Sequence, residues 1–202
     1  MKYAASEDFR EAIEQRLKNA SMGRPPAHLN RMRRLIVFER MLARFQEAAG
    51  EQWILKGGVA LDFRLANRAR FTRDLDLASD ASEPAIVTQI VEASGTDLDD
   101  YFVFHVEDQG SIVRDGDKHA LRFRIRAELA GRRFEIVSID VGLGTHLTSV
   151  PDTVRGSDCS LSRESDLSSV QRFRSHNTWL RSFMRMCTSM PGDGGAAGSR
   201  TL

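Results

Sequence analysis

Two carboxylates spaced two residues apart, Asp74 and Asp76, are the residues in this sequence whose types and spacing best suit chemistry. They alternate with Leu75 and Leu77, and the period of two that is typical of a strand puts both carboxylates on one face. Such a pair suits a hard, octahedral Mg²⁺ ion that also bridges substrate phosphates. Two ions about 3.5–4 Å apart can activate an attacking oxygen and stabilise a leaving pyrophosphate. Taken alone, an Asp-x-Asp is also common at a solvated strand edge, so the surrounding residues must show whether this pair is catalytic.

A pair of glycines, Gly57 and Gly58, follows the apolar run Gln52 to Leu55, which is typical of a buried strand. Apolar residues at roughly helical spacing come next, so we expect the glycines at the N-terminus of a helix, where the backbone must turn sharply. Unpaired amides and the positive end of the helix dipole meet there and favour a phosphate. Lys56, just before the glycines, is either a phosphate contact or a surface residue at the strand end.

The order of these residues resembles a known family. The residues that carry the resemblance are Lys56, Gly57, Gly58, Ala60, Leu61, Arg70, Thr72, Asp74 and Asp76. They look like those of the AbiEii/AbiGii-type, MenT-like nucleotidyltransferase toxins of the polymerase-β-like nucleotidyltransferase superfamily. The resemblance implies a toxin of a toxin–antitoxin system that transfers a nucleotide from an NTP with the help of Mg²⁺ or Mn²⁺. It also implies an antitoxin protein as partner, and a tRNA 3′ end as acceptor, as in several family members.

A third carboxylate, Asp140, lies on the last clear strand, residues 134–141, where it shares one side with Ile136 and Ser138. It can point where Asp74 and Asp76 point if the two strands are neighbours, which is the superfamily's arrangement. The resemblance therefore implies catalytic and metal-binding roles for all three aspartates. The nucleotide contacts that it implies are Lys56, Gly57, Gly58, Thr72 and Arg73.

Composition and hydropathy bear on three classes of protein: strongly basic nucleic-acid binders, membrane proteins, and proteins built on disulfides or zinc. The 202 residues give a net charge of +1 from 29 basic and 28 acidic residues, so the chain lacks the strong positive charge that by itself indicates nucleic-acid binding. No run approaches the roughly 18 apolar residues of a membrane span, and the N-terminus has no apolar signal core, so we expect a cytoplasmic protein with no membrane partner. Cys159 and Cys187 lack the spacing of a disulfide framework or a zinc site.

The hydrophobic patterns predict an α+β fold, a mixed β-sheet with flanking helices. Helical periods predict helices over 6–20, 27–49 and 83–93, and alternation predicts strands in the segments 101–106, 111–114, 119–129 and 134–141. We expect N-terminal helices over 1–50, a nucleotidyltransferase core over 51–158, and a different segment over 159–202.

Two sets of arginines allow two interpretations each. One set lies on the predicted second helix and is either a solvated face or a surface for an RNA backbone: Arg31, Arg33, Arg34, Arg40 and Arg44. The other set repeats every second residue along a strand: Arg122, Arg124 and Arg126. It is either a solvent-facing row or an electropositive wall for a triphosphate or RNA.

The segment 159–202 is rich in Ser and Arg, lacks a sustained period, and is predicted to be disordered. Read one nucleotide later, suitable codons for Trp179 to Leu202 give AEKLHAYVHEYARRRGSSRVKDL, which resembles the family's helical half. Our hypothesis is an out-of-frame translation after Asp158, which would remove that half together with a Lys and an Asp that the family uses there. The coding DNA tests this: if no reading frame encodes the EKLHA-like segment, the hypothesis is wrong.

Two other functions fit the same residues. The core could serve a nucleotidyltransferase that modifies a small molecule such as an aminoglycoside. Alternatively, the chain could be an inactive, truncated remnant that still binds a partner such as its antitoxin.

Overall fold

The computed structural model describes residues 3–64, 72–114, 118–143, 152–155 and 172–175. Helices and strands alternate along these ranges. The helices are α1 (Ser6–Ala20), α2 (Pro26–Ala49), α3 (Gly57–Arg64) and α4 (Glu83–Gly95), with a short 3₁₀ turn at Gly50–Gln52. The strands are β1 (Ile54–Lys56), β2 (Asp74–Ala78), β3 (Phe102–Arg114), β4 (Lys118–Leu129), β5 (Arg132–Gly142), β6 (Asp152–Arg155) and β7 (Arg172–Ser175).

The strands form one mixed sheet in the order β3-β4-β5-β2-β1-β7-β6. β2 runs parallel to β5 and antiparallel to β1, while β4 is antiparallel to both β3 and β5. β1 also pairs in parallel with β7, which pairs with β6. The predicted α+β class, a mixed sheet with flanking helices, is confirmed.

The predicted elements match the structure with one clear correction. The two predicted strands 101–106 and 111–114 are wrong as separate elements, because β3 runs unbroken from Phe102 to Arg114. A register shift between Val106 and Asp108 absorbs the irregularity that interrupted the alternation. The hairpin turn predicted at residues 115–117 lies outside the described residues.

The helices and the sheet share one hydrophobic core. Its fully buried members include Leu17 of α1, Phe38 of α2, Ile90 of α4 and Ile139 of β5. The helices before residue 50 therefore pack with the strands that follow them. The division of the chain at residue 50 stays a prediction about sequence, but these elements have no separate cores in the structure.

One side chain of α1 fixes the turn between β4 and β5. Arg10 donates hydrogen bonds to the carbonyls of Leu129 (2.7 Å), Arg132 (3.0 Å) and Arg133 (3.3 Å). The turn itself needs a left-handed backbone, with φ +52° at Ala130 and +65° at Gly131. Arg10 therefore ties α1 to backbone carbonyls on both sides of this turn.

Both interpretations of the arginines on α2 are wrong for Arg44. It is fully buried and donates two hydrogen bonds to Asp100, at 2.9 and 2.7 Å, and one to the Phe102 carbonyl at 2.9 Å. Arg31 pairs with Asp62 of α3, and Arg33 pairs with Glu14 of α1, so both tie α2 to other helices. For these partly exposed residues, an RNA surface stays a prediction.

Of the segment 159–202, only β7 is described, as a strand beside β1. The predicted disorder is therefore wrong for Arg172–Ser175, which pair with strands on both sides. The other residues of this segment lie outside the described ranges, so their disorder and the reading-frame hypothesis stay predictions. Within the part of the chain that the structure describes, no helix is both long enough and apolar enough to cross a membrane.

We expect Arg44→Ala to lower the free energy of unfolding by about 3–5 kcal/mol, because the buried Asp100 would lose both hydrogen bonds from Arg44 and keep only the longer contact with Arg40, at 4.0 Å. Urea denaturation of the two proteins measures this difference. Arg124→Ala is the matched control, since the Arg124 side chain is 58% exposed in its ion pair and exposed pairs contribute about 0.2–1 kcal/mol. Equal losses for the two variants would contradict a structural role for the buried pair.

Candidate active site

Four charged side chains lie side by side across four neighbouring strands. The register pairs Lys56 with Asp76, Asp76 with Asp140, and Asp140 with Arg122. Residues directly opposite each other in adjacent strands point to the same face of a sheet. These four residues, which we call the charged row, therefore place two carboxylates between two cations.

The opposite face of the same strands holds this register in place. Leu75 and Leu77 of β2 pair with Ile139 and Val141 of β5, and all four side chains are buried. A slip by one residue would move these apolar side chains to the charged face and send the carboxylates into the core. The hydrophobic packing below the sheet thus fixes the carboxylates above it.

Arg122 and Asp140 form the best-defined polar contact of the charged row. The Arg122 Nε and one terminal nitrogen donate to the two Asp140 carboxylate oxygens, both at 2.7 Å. The same guanidinium lies 3.8 Å from Asp74 Oδ2. The Asp140 side chain is 1% exposed, whereas Arg122 is 43% exposed, so Arg122 covers Asp140 on the solvent side.

This contact stabilises the protonated form of Arg122. Hydrogen bonding to Asp140 raises the pKa of the guanidinium, and the negative charges of Asp140, Asp74 and Asp76 add to the effect. Arginine is already protonated at every physiological pH, so Arg122 is a permanent cation in the site.

The glycine pair brings the start of α3 against the carboxylates. Gly57 has φ +64°, and a Cβ added there would overlap Asp76 Oδ2. A Cβ at Gly58 would lie 2.7 Å from Thr72 Cβ. Thr72 in turn donates a hydrogen bond from Oγ1 to the Asp74 carbonyl, at 3.2 Å. Only residues without side chains fit between the helix N-terminus and β2 at this distance.

The structure therefore brings the predicted site residues to one place. Lys56 and Asp76 share the charged row, the two glycines and Thr72 adjoin it, and Asp74 is the first residue of β2. Arg73 is exposed at the entrance to β2. Arg70 of the motif lies outside the described residues. The roles of all these residues stay predictions.

The predicted three-carboxylate metal site fits this arrangement only in part. Asp74 and Asp76 lie on one face and Asp74 is 38% exposed, so their oxygens suit one hard divalent ion. Both Asp140 oxygens are engaged by Arg122 instead. Among the described residues, no group of three Asp, Glu, His or Cys side chains is arranged to hold a metal.

Neither interpretation of the arginine row on β4 describes it fully. Arg124 and Arg126 donate to Glu107 of β3, at 3.1 and 2.8 Å, so most of their charge is locally paired. Only Arg122 meets the aspartates. The sequence did not predict the contact between Arg122 and Asp140. The alternation places the three arginines on one face, but it does not reveal the strand register that pairs Arg122 with Asp140.

A sequence model of one family matches residues 40–171 of the chain, which include α3, β2 and the whole charged row. The family is described as nucleotidyl transferase AbiEii toxin of type IV toxin–antitoxin systems. The chain belongs to this AbiEii family. The resemblance on the glycine pair and the Asp-x-Asp is thereby confirmed at the level of the family.

Two solved structures from Helicobacter pylori are similar to this AbiEii chain. JHP933 has 14% identity, covers 79% of this chain and 59% of its own length, and has a TM-score of 0.41. A candidate nucleotidyltransferase has 16% identity, covers 80% and 60% of the two chains, and has a TM-score of 0.39. This chain thus spans about 60% of the length of these structures. No curated protein matches the chain.

We expect Gly57→Ala to lower the free energy of unfolding by about 1–3 kcal/mol, because the new Cβ meets Asp76 in a left-handed backbone. Gly110→Ala is the matched control, since Gly110 has ordinary φ and no atom within 4 Å of an added Cβ. Thermal unfolding of both variants measures the difference. If Gly57→Ala is as stable as Gly110→Ala, the close approach of α3 to β2 is wrong.

Proposed function

We propose that the chain is a metal-dependent nucleotidyltransferase that transfers a nucleotide from an NTP to the 3′ end of tRNA. The observation that carries the proposal is the charged row beside the Gly57-Gly58 turn, which places carboxylates next to a helix N-terminus. Membership of the AbiEii family supports the reaction class. The tRNA acceptor rests on the family resemblance alone.

In this mechanism, the glycine turn binds the triphosphate. The Gly57 and Gly58 amides donate to phosphate oxygens, and Lys56, Thr72 and Arg73 add contacts around them. A chain of phosphates fixed along these groups presents its α-phosphorus to the acceptor in one orientation, which removes much of the entropic barrier.

The three carboxylates have two roles in this mechanism, metal binding and a place beside the acceptor hydroxyl. Nucleotidyltransferases generally use a divalent metal, which supplies charge stabilisation for the attacking and leaving oxygens when it is bound. Asp74 and Asp76 are the residues that would hold it. Asp140 completes the site beside the acceptor hydroxyl, and Arg122 fixes the orientation of its carboxylate.

An antitoxin is the protein partner that a type IV toxin–antitoxin family implies.

A second candidate function is a remnant that binds a nucleotide or an antitoxin without turnover. The engagement of both Asp140 oxygens by Arg122 favours it, because a carboxylate held in this way is not available to other ligands.

The test is transfer of label from each α-labelled NTP to total tRNA by the 202-residue chain with Mg²⁺ or Mn²⁺. We expect Asp74→Asn to lower the rate by about a hundredfold or more, because it removes a charged metal ligand without changing its volume. Asp108→Asn is the matched control, since Asp108 is an exposed carboxylate on β3, and it should retain full activity.

The other outcomes separate the rival functions. Label on an aminoglycoside but not on tRNA would overturn the tRNA acceptor. Nucleotide binding without transfer, in the native chain and in a version with the alternative reading frame after Asp158, would favour the remnant. Equal rates for Asp74→Asn and Asp108→Asn would overturn the assigned site.

A further inference from the structure

The Asp140 carboxylate is paired with a cation of the protein itself, the guanidinium of Arg122. Arg122 contacts both carboxylate oxygens at 2.7 Å in the two-pronged geometry that makes guanidinium–carboxylate pairs strong. The pair joins facing residues of β4 and β5, so the backbone register holds both partners in place.

Burial makes this contact hard to replace from solvent. Asp140 is 1% exposed and Arg122 lies between it and water. An ion that reaches Asp140 must displace the guanidinium, and that displacement gives up two charge-assisted hydrogen bonds. Asp74 is 38% exposed, and its contact with the same guanidinium is longer, at 3.8 Å.

Arg122 also repels a divalent ion at this position. Its guanidinium lies 3.8 Å from Asp74 Oδ2 and also contacts both Asp140 oxygens. A metal bound to Asp74 and to Asp140 together would share this space with a permanent positive charge, and that repulsion is only partly screened at a half-exposed site.

We propose that Arg122 occupies Asp140 in place of metal, so that the divalent ion is held by Asp74 and Asp76 without Asp140. Arg122 is then a positioning residue that lowers the affinity of the site for the ion while keeping the Asp140 carboxylate oriented. The inference rests on the proposed metal-dependent function. It departs from the three-carboxylate site that the resemblance implies.

Arg124 provides a matched control for this inference. It lies two residues along the same strand and on the same face, but it pairs with Glu107 rather than with an aspartate of the site. Arg122→Gln and Arg124→Gln therefore remove the same charge from the same strand, and only the first releases Asp140.

The experiment is titration of the full chain with Mn²⁺ alone, with free Mn²⁺ followed by electron paramagnetic resonance. We expect Arg122→Gln to bind Mn²⁺ about tenfold more tightly or better, because Asp140 becomes a third oxygen ligand and a positive charge is lost. Arg124→Gln should stay within about twofold of the native chain, since its charge is paired elsewhere. Asp140→Asn should weaken binding less than Asp74→Asn does, because it removes a nearby negative charge but no metal ligand. In the Arg122→Gln background it should cancel the gain.

A second readout covers any loss of folding in Arg122→Gln. The increase in Tm that Mn²⁺ produces should be larger in this variant than in the native chain or Arg124→Gln, because tighter binding to the folded state gives greater stabilisation.

The outcomes distinguish this inference from the proposed function. If Asp74→Asn weakens Mn²⁺ binding but Arg122→Gln matches Arg124→Gln, the inference is overturned and the metal-dependent function stands. If Asp140→Asn weakens binding as much as Asp74→Asn, Asp140 is a metal ligand and the inference is wrong. If no protein shows Asp74-dependent Mn²⁺ binding, both the function and the inference fail.

Discussion

The parallel pairing of β2 with β5 places two like charges directly opposite each other, and the neighbouring cations of the charged row offset their repulsion. Asp76 faces Asp140 across the two strands, and like charges in such a pair destabilise a sheet. Lys56 follows Asp76 on one side and Arg122 follows Asp140 on the other. The two adjacent carboxylates thus have a cation on each side, which offsets their mutual repulsion.

Hydrophobic packing and buried charge share the work of holding this row. The apolar side chains under β2 and β5 set the register, while the pair of Arg44 and Asp100 attaches α2 to the segment that enters β3. Arg44 also stacks over Phe104, with 4.6 Å between the guanidinium carbon and the ring centroid. β3 in turn supplies Glu107, which accepts hydrogen bonds from both Arg124 and Arg126. The register of β4 against β5 places Arg122, and not these two arginines, opposite Asp140.

Local patterns were enough to predict most elements of the fold, because helix and strand periods are local. The alternation of Asp74 to Leu77 predicts both the strand and the shared face of the carboxylates, and the glycine pair predicts the start of α3. What could not be predicted depends on register and on distant partners. Asp140 was expected near Asp76, but the engagement of its oxygens by Arg122 follows from the alignment of β4 with β5, which no local pattern records. Arg44 looked like a surface residue because Asp100, which makes its burial possible, lies 56 positions away.

The contacts of α1 bear on how this protein can exchange parts with relatives. The match to the family begins at residue 40, in the middle of α2. Arg10 holds the β4–β5 turn from outside that stretch, and Leu17 and Phe38 fill the core beneath the sheet. A chimera joined at residue 40 would divide α2 and combine the β4–β5 turn of one protein with the α1 residues of another. Recombination that preserves the fold must therefore carry the first helix together with the β4–β5 turn, although about 120 residues separate them.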